Sequence, residues 1–158
     1  MEINNIKNEI GMTLIVKTVT RLTVGLILLY GIYLIFNGHS SPGGGFAGGV
    51  IIALSFIHIM LAFGKDMALK KLTVPFARVM ISAGALIFLS VAMLGFTKGA
   101  FFLNTLFRYK MPFNLFSEGS IPLYEVAIGL MVGGALFLMF VTLVLMQKVD
   151  RDLEKRRK

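Results

Sequence analysis

The chain has 158 residues, of which 56% are hydrophobic and only 15% are charged, and its mean hydropathy is +0.82. In soluble domains about a quarter of the residues are charged, so the composition excludes an ordinary soluble domain. The net charge of +8 would suggest nucleic-acid binding in a soluble protein, but here the basic residues lie between and beside long apolar runs. No nucleic-acid partner is therefore expected. The lack of cysteine excludes disulfides, thiol catalysis and thiolate metal sites.

The apolar runs predict an all-α integral membrane protein with four transmembrane helices in a single domain, 1–158. Each run reaches the roughly 20 residues that a bilayer span requires, whereas a β-barrel would show short alternating segments. A polar arm precedes the first run, and no cleavable signal is evident. The predicted spans are 13–36, 44–63, 74–96 and 121–146, and a charged tail, 147–158, follows them.

Two connections between the spans differ in character. A short basic loop, predicted from Gly64 to Thr73, joins the second span to the third. A longer connection, 97–120, is rich in phenylalanine and leucine. Aromatic residues concentrate at headgroup depth, so we expect a short helix lying at the membrane surface there.

The distribution of lysine and arginine predicts that both termini are cytoplasmic. With that orientation, thirteen of the sixteen basic residues lie inside, and the three outside are Lys98, Arg108 and Lys110. Because cytoplasmic loops are enriched in basic residues, the pattern puts the long connection on the external face. The turn between the first two spans lies on that face as well.

That turn, from Asn37 to Gly49, is rich in glycine, which lets backbones approach closely or bend sharply. Within it, glycines four residues apart make a flat helix face suited to close packing. The second interpretation is a partly unwound entry to the second span that lines a route for ions or water. The candidate residues are His39, Pro42, Gly43, Gly44, Gly45, Phe46, Gly48 and Gly49.

The fourth span offers a similar face. Gly129 and Gly133 are four residues apart, and Gly134 lies beside them. The motif Gly43-x-Gly45-x-x-Gly48 also matches a dinucleotide fingerprint, but that fingerprint requires a preceding strand and a downstream acid in a soluble βαβ unit. Helix packing is therefore the favoured interpretation of these glycines.

Three ionisable residues are candidates for a role in transport. His39 lies in the turn, and His58 lies nearer the cytoplasmic end of the second span, too far away for a shared metal site. A titratable group at membrane depth is a functional candidate, and a neutral histidine also packs easily. Glu125 is the only acid within a span. It could face an aqueous vestibule, pair with a partner subunit or reach the headgroups.

No span has an acid or a lysine near its centre. Ion-coupled carriers usually place such groups at the midplane, so the chain by itself lacks the parts of a complete antiporter. No nucleophile with a base, paired carboxylates, metal cluster or cofactor site is evident. The sequence therefore predicts a non-enzymatic component of a larger membrane assembly, and two glycine faces favour lateral association with other subunits.

The segment from Gly38 to Gly49 closely resembles the MnhB/MrpB family, the B subunits of multi-subunit cation/proton antiporters called Mrp or Mnh. The family pattern is Gly-His-x-x-Pro-Gly-Gly-Gly-Phe-x-Gly-Gly between the first two spans, and the chain matches it throughout. The four-span layout and the long loop before the last span are also similar to that family.

The resemblance implies a small multi-pass subunit of the bacterial cell membrane. Its complex would exchange Na⁺ for H⁺ in pH and sodium homeostasis, and its partners would be subunits A and C to G. The subunit would support assembly and could line part of the sodium path. Pro42 and Phe46 are the positions expected to be sensitive, since proline fixes the turn and Phe46 could fill a gap against the first span or a neighbour. Turn geometry and packing alone are the other interpretation.

Two rival hypotheses remain at this point. One is a purely structural linker that never contacts the ion. The other is the same subunit type within a membrane hydrogenase module related to complex I.

Overall fold

The computed structural model describes residues 12–38, 42–96 and 120–157. This part of the chain consists of helices joined by turns and contains no strand. The polar arm, the external connection and His39 were also the subject of predictions. Apart from Met12 and Ser120, these residues lie outside the described ranges. The five helices are α1 (Leu14–Phe36), α2 (Gly44–Phe63), α3 (Lys65–Lys71), α4 (Val74–Phe96) and α5 (Ile121–Arg157).

Four of the helices are long and apolar enough to cross a membrane, which confirms the predicted fold class. They are α1, α2, α4 and the segment Ile121–Gln147 of α5, with a mean hydropathy between 1.9 and 2.5 in their most apolar windows. At 1.5 Å per residue, α2 with 20 residues is about 30 Å long, the thickness of the hydrocarbon core.

The helices α2 and α5 lie at the centre of the bundle, with α1 packed on α2 and α4 packed on α5. The turn after α1 reverses the chain, so the start of α2 and the start of α5 meet at one end of the bundle. The large side chains on the outward faces of α1 and α4 are exposed and apolar, among them Leu22, Leu26, Leu86 and Leu89. Such a surface suits lipid or other membrane helices rather than water.

Several hydroxyl groups in the spanning helices donate to carbonyl groups of their own helix. The Oγ atoms of Thr18, Ser90 and Thr142 each donate to the carbonyl oxygen four residues earlier, at 2.7 to 3.0 Å. Since unsatisfied polar groups are costly in hydrocarbon, these internal bonds let threonine and serine lie within the spans.

The predicted loop between Gly64 and Thr73 is wrong in one respect, because it contains the short helix α3. Gly64 has a φ of 87°, which turns the chain sharply, and its N–H donates to the Met60 carbonyl. Ala68 and Leu72 are then buried in a cluster at this end of the bundle. That cluster brings together Met60, Ala68, Leu72, Ala77, Phe137 and Val141. Packing against the bundle thus stabilises a helix that its basic composition did not indicate.

The charged tail is also helical. The apolar part of α5 ends at Gln147, close to the predicted 146, but the helix continues to Arg157 over 37 residues. The tail contains lysine, arginine, glutamate and leucine without glycine or proline. These are strong helix formers, so the helix has no reason to end at the membrane boundary.

Candidate functional site: a carboxylate against the glycine turn

The turn between α1 and α2 adopts backbone conformations that favour glycine. The backbone N–H of Asn37 donates to the Tyr33 carbonyl at 3.0 Å and ends α1. Gly43 has a φ of 109° and Gly44 a φ of 49°, in the left-handed region that side chains with a Cβ rarely adopt. Pro42 is exposed immediately before them, so it lies in the turn. Gly44 is the first residue of α2 and still has a left-handed φ, so the regular right-handed helix begins at Gly45.

Glu125 lies in the second turn of α5, and its carboxylate points into the glycine turn. The backbone N–H of Gly45 donates a hydrogen bond to Glu125 Oε2. A Cβ at Gly38 would lie 2.6 Å from Glu125 Cδ, and a Cβ at Gly44 would contact both carboxylate oxygens. The carboxylate thus occupies the space that the missing side chains of Gly38, Gly44 and Gly45 leave.

The contact supplies what the start of α2 lacks. The first turn of α2 has no acidic residue, and its N-cap residue, Gly43, has no side chain that could accept a hydrogen bond from the first N–H groups. The first N–H groups of a helix have no partners within it and carry a partial positive charge. A carboxylate from α5 therefore stabilises the N-terminus of α2 through a charge-assisted hydrogen bond, and it ties the two central helices together.

Neighbouring contacts fix the start of α5. The rings of Tyr124 and Phe88 pack edge to face, with centroids 5.0 Å apart, and join α5 to α4. Pro122 is buried in the first turn of α5, where a proline removes no helical hydrogen bond. The backbone that carries Glu125 is consequently held from the side of α4 while its carboxylate faces α2.

Below the carboxylate, glycines let α2 and α5 approach backbone to backbone. A Cβ at Gly49 would lie 2.7 Å from the Gly129 carbonyl oxygen, and a Cβ at Gly45 would contact the Glu125 carbonyl. A Cβ at Gly133 would be 3.3 Å from the Gly49 carbonyl oxygen, so α2 and α5 are slightly farther apart there. The face predicted from Gly129 and Gly133 therefore packs on the one predicted from Gly45 and Gly49.

The other predicted glycines face the outer helices. A Cβ at Gly48 would lie 2.8 Å from the Gly31 carbonyl oxygen of α1. Gly134 turns away from α2, because a Cβ there would be 2.9 Å from the Ala77 oxygen of α4. Gly133 and Gly134, which are adjacent on α5, thus pack against different helices, α2 and α4.

Two packing glycines were missed by the sequence analysis. Gly31 of α1 and Gly84 of α4 both lie close against a facing helix. A Cβ at Gly84 would be only 2.7 Å from the Ala127 carbonyl oxygen. Neither belongs to a small-residue repeat of its own helix, so no motif indicated them. Their role depends on which helix lies opposite.

Phe46 and His58 lie outside this contact region. The Phe46 side chain is 62% exposed, so it does not fill a gap against α1, and contact with a neighbour or lipid is the remaining interpretation. His58 is also exposed. Thirteen residues separate it from Gly45, about 20 Å along α2. The structure therefore does not bring His58 and Glu125 into one site.

In the described ranges, no group of three or more histidine, aspartate or glutamate residues could hold a metal ion. The Gly45 N–H donates to the Glu125 carboxylate across α2 and α5. The chemistry of this site is thus that of a helix-terminal carboxylate, which can stabilise packing or carry one negative charge.

Comparison with known proteins identifies the family. A family model described as "Domain related to MnhB subunit of Na+/H+ antiporter" matches residues 15–138. A protein of Staphylococcus epidermidis named "Putative antiporter subunit mnhB2" is 42% identical over 78 residues, which are 49% of this chain and 55% of that protein. A protein of the same name from Staphylococcus aureus is 42% identical over 73 residues, 46% of this chain and 51% of that protein. The matched part of the chain thus spans about half the length of these relatives.

A solved structure is similar as well. One chain in the "Structure of the membrane-bound sulfane sulfur reductase (MBS), an archaeal respiratory membrane complex" has a TM-score of 0.67 and 28% sequence identity, over 82% of this chain and 56% of that chain. The family match runs from the start of α1 into the middle of α5 and includes the turn and Glu125. The resemblance predicted from the glycine segment is confirmed: the chain is a multi-pass membrane protein and belongs to the MnhB family.

Proposed function

We propose that this chain is the B-type subunit of a multi-subunit Na⁺/H⁺ antiporter and that its main contribution is to the assembly of that complex. The family match over residues 15–138 is the observation that carries the proposal. The names of the Staphylococcus relatives support the antiporter class.

The shape of the bundle supports a role in assembly. Small residues hold α2 and α5 close together, while the outer helices α1 and α4 present large apolar side chains to the outside. Helices in lipid associate through packing and polar contacts rather than through the hydrophobic effect. A broad apolar face on each side of a compact centre can receive other membrane subunits without rearrangement of the centre.

Glu125 is the acidic candidate for a part in the sodium path. It is the only acidic residue in the four spanning segments, and the backbone N–H of Gly45 already engages its carboxylate. We infer that Glu125 holds the turn and α5 together. A direct role in conduction would require the carboxylate to leave the N–H and meet the ion.

We further propose that both termini face the cytoplasm, on the strength of thirteen basic residues on that side. A fusion of green fluorescent protein after Lys158 is expected to fluoresce, because this reporter matures in the cytoplasm. A fusion of alkaline phosphatase at the same position is expected to be inactive. The reverse pair of results would invert the topology.

A second candidate function is favoured by the structural neighbour, which is part of a respiratory membrane complex. In that case the chain would serve as a linker in a related redox complex, and hydrogenase or reductase genes would lie beside its own gene. Antiporter subunits alone in the neighbourhood support the first proposal.

Copurification tests the assembly proposal directly. The complete operon is expressed with an affinity tag on another subunit, with and without this chain, and the complexes are resolved on native gels. Loss of the full-size complex without the chain, and its recovery when the chain is supplied separately, are expected. A full-size and active complex without the chain would refute the proposal.

A further inference from the structure

A groove of about 530 Å³ runs between α1, α2 and α3, at the end of the bundle opposite the glycine turn. Thr20, Val24 and Leu28 line it on α1, each one turn after the last. They extend over about 12 Å along the helix. Phe56, Ile59 and Phe63 form the facing wall on α2, and the surface of the groove is largely apolar.

Gly25 keeps this groove open. A Cβ at Gly25 would have nothing within 4 Å in the described part of the chain, whereas a Cβ at Gly31 would lie 2.8 Å from Ile52 Cγ1. Gly31 thus permits close contact between α1 and α2, while Gly25, six residues earlier, leaves a space between them. The space is a feature of the fold that close helix packing does not explain.

Two cations lie at one end of the groove. The Arg21 guanidinium is 6.0 Å from the centre of the Phe63 ring, and Lys71 contributes to the lining from α3. Side chains on a helix point towards its N-terminus, so Arg21 extends to the end of the bundle where α1 starts. At that end the Met12 N–H donates to the Ala62 carbonyl at 3.3 Å. The groove is therefore cationic near the membrane boundary and apolar towards the membrane centre.

We propose that this groove binds an anionic phospholipid. One acyl chain lies along the wall formed by α1 and α2, and the headgroup phosphate lies between Arg21 and Lys71. An amphipathic anion complements both parts of the groove, whereas a zwitterionic lipid offers the two cations less net charge. An apolar partner helix would cover the walls but would bring no negative charge to the two cations. Basic pockets between transmembrane helices are suited to anionic headgroups for the same electrostatic reason.

Fluorescence quenching tests the headgroup preference. The chain has no tryptophan, so Met67→Trp on α3 introduces a single reporter beside the groove. The full-length variant is placed in phosphatidylcholine vesicles with increasing fractions of brominated phosphatidylglycerol or of brominated phosphatidylcholine. We expect phosphatidylglycerol to quench at a mole fraction lower by roughly 5-fold for each cation engaged.

The variants Arg21→Gln and Lys71→Gln, each combined with the reporter, are expected to reduce the difference between the mole fractions at which the two lipids quench. The control reporter is Leu86→Trp, on the exposed face of α4 away from the groove, where both lipids should quench alike. Equal quenching by the two lipids at Met67→Trp would overturn the proposal.

A second experiment uses the assembled complex. A phosphatidylglycerol with a photoreactive acyl chain is expected to label this subunit in the complex. Gly25→Leu should remove most of that label, because its side chain would extend into the groove from a position where a Cβ meets nothing within 4 Å among the described residues. Labelling of the isolated chain but not of the complex would show that a partner subunit occupies the groove, and the proposal would fail.

Discussion

The close approach of α2 and α5 predicts that Gly49→Ala destabilises the bundle. The new Cβ would lie 2.7 Å from the Gly129 carbonyl oxygen and 3.0 Å from Val132 Cβ. Ordinary contacts begin at 3.4 Å, so the backbones must separate by about 0.7 Å (3.4 − 2.7). Overpacking of this kind costs about 1–3 kcal/mol. The obstacle is a backbone carbonyl rather than a flexible side chain, so the separation affects the whole interface.

Gly25→Ala is the matched control. Both substitutions replace glycine by alanine inside a spanning helix, so both gain the same helix propensity of up to about 1 kcal/mol. At Gly25 the new methyl group meets nothing within 4 Å in the described residues. The difference between the two variants therefore isolates the contact with Gly129. We expect it to be about 1–3 kcal/mol in favour of Gly25→Ala.

The assay is reversible unfolding of the purified full-length chain in mixed micelles of a mild detergent and dodecyl sulfate, followed by circular dichroism. The midpoint of Gly25→Ala should equal or exceed that of the unchanged chain, and the midpoint of Gly49→Ala should be clearly lower. Gly133→Ala, with its Cβ 3.3 Å from the Gly49 oxygen, should fall between them. Equal midpoints for Gly25→Ala and Gly49→Ala would refute the backbone contact between α2 and α5.

Three further predictions use unfolding of the purified chain, and the last of them adds copurification of partner subunits from cells that carry the complete operon. Glu125→Ala leaves the Gly45 N–H without its acceptor and should lower the free energy of unfolding by about 1–3 kcal/mol. Glu125→Gln keeps an acceptor and should lower it less. Equal losses in the two variants would mean that the hydrogen bond contributes nothing to stability. Phe137→Ala empties a fully buried position and should cost about 3–5 kcal/mol in the unfolding assay, and a loss below 1 kcal/mol would argue against that core. Phe46→Ala should leave stability unchanged, because the ring is exposed, but should reduce copurification of partner subunits; normal copurification would assign Phe46 to the lipid.

The spans could be predicted from sequence because membrane thickness and hydropathy determine them almost alone. The predicted second and third spans have the bounds of α2 and α4. The glycine pairs could be recognised as packing faces because their spacing repeats along one helix. Their partners could not, since Gly133 and Gly134 are adjacent in sequence and face different helices.

The direction of Glu125 could not be predicted for the same reason. A glutamate one turn inside a span can reach the headgroups in any isolated helix. The Gly45 N–H and the missing side chains at Gly38 and Gly44 direct the carboxylate into the turn, and the position of that turn depends on how the helices pack. The short helix α3 likewise depends on burial of Ala68 and Leu72 against other helices. Sequence patterns predict the four spanning helices, whereas contacts across helices determine α3 and the geometry of the site.

The most direct test of the account is Na⁺-dependent proton flux per assembled complex. Everted vesicles are prepared from antiporter-deficient cells that carry the complete operon with this chain unchanged, with Glu125→Gln or with Glu125→Ala. The matched control is Glu154→Gln, on the exposed helical tail. Native gels measure the amount of complex in each preparation.

If Glu125 holds the turn to α5 and the subunit serves assembly, flux should fall only in proportion to the amount of complex, most in Glu125→Ala and little in Glu125→Gln. The flux per complex should then be constant across the series. A full amount of complex with lost flux in both variants would contradict the assembly account and would put Glu125 on the ion path.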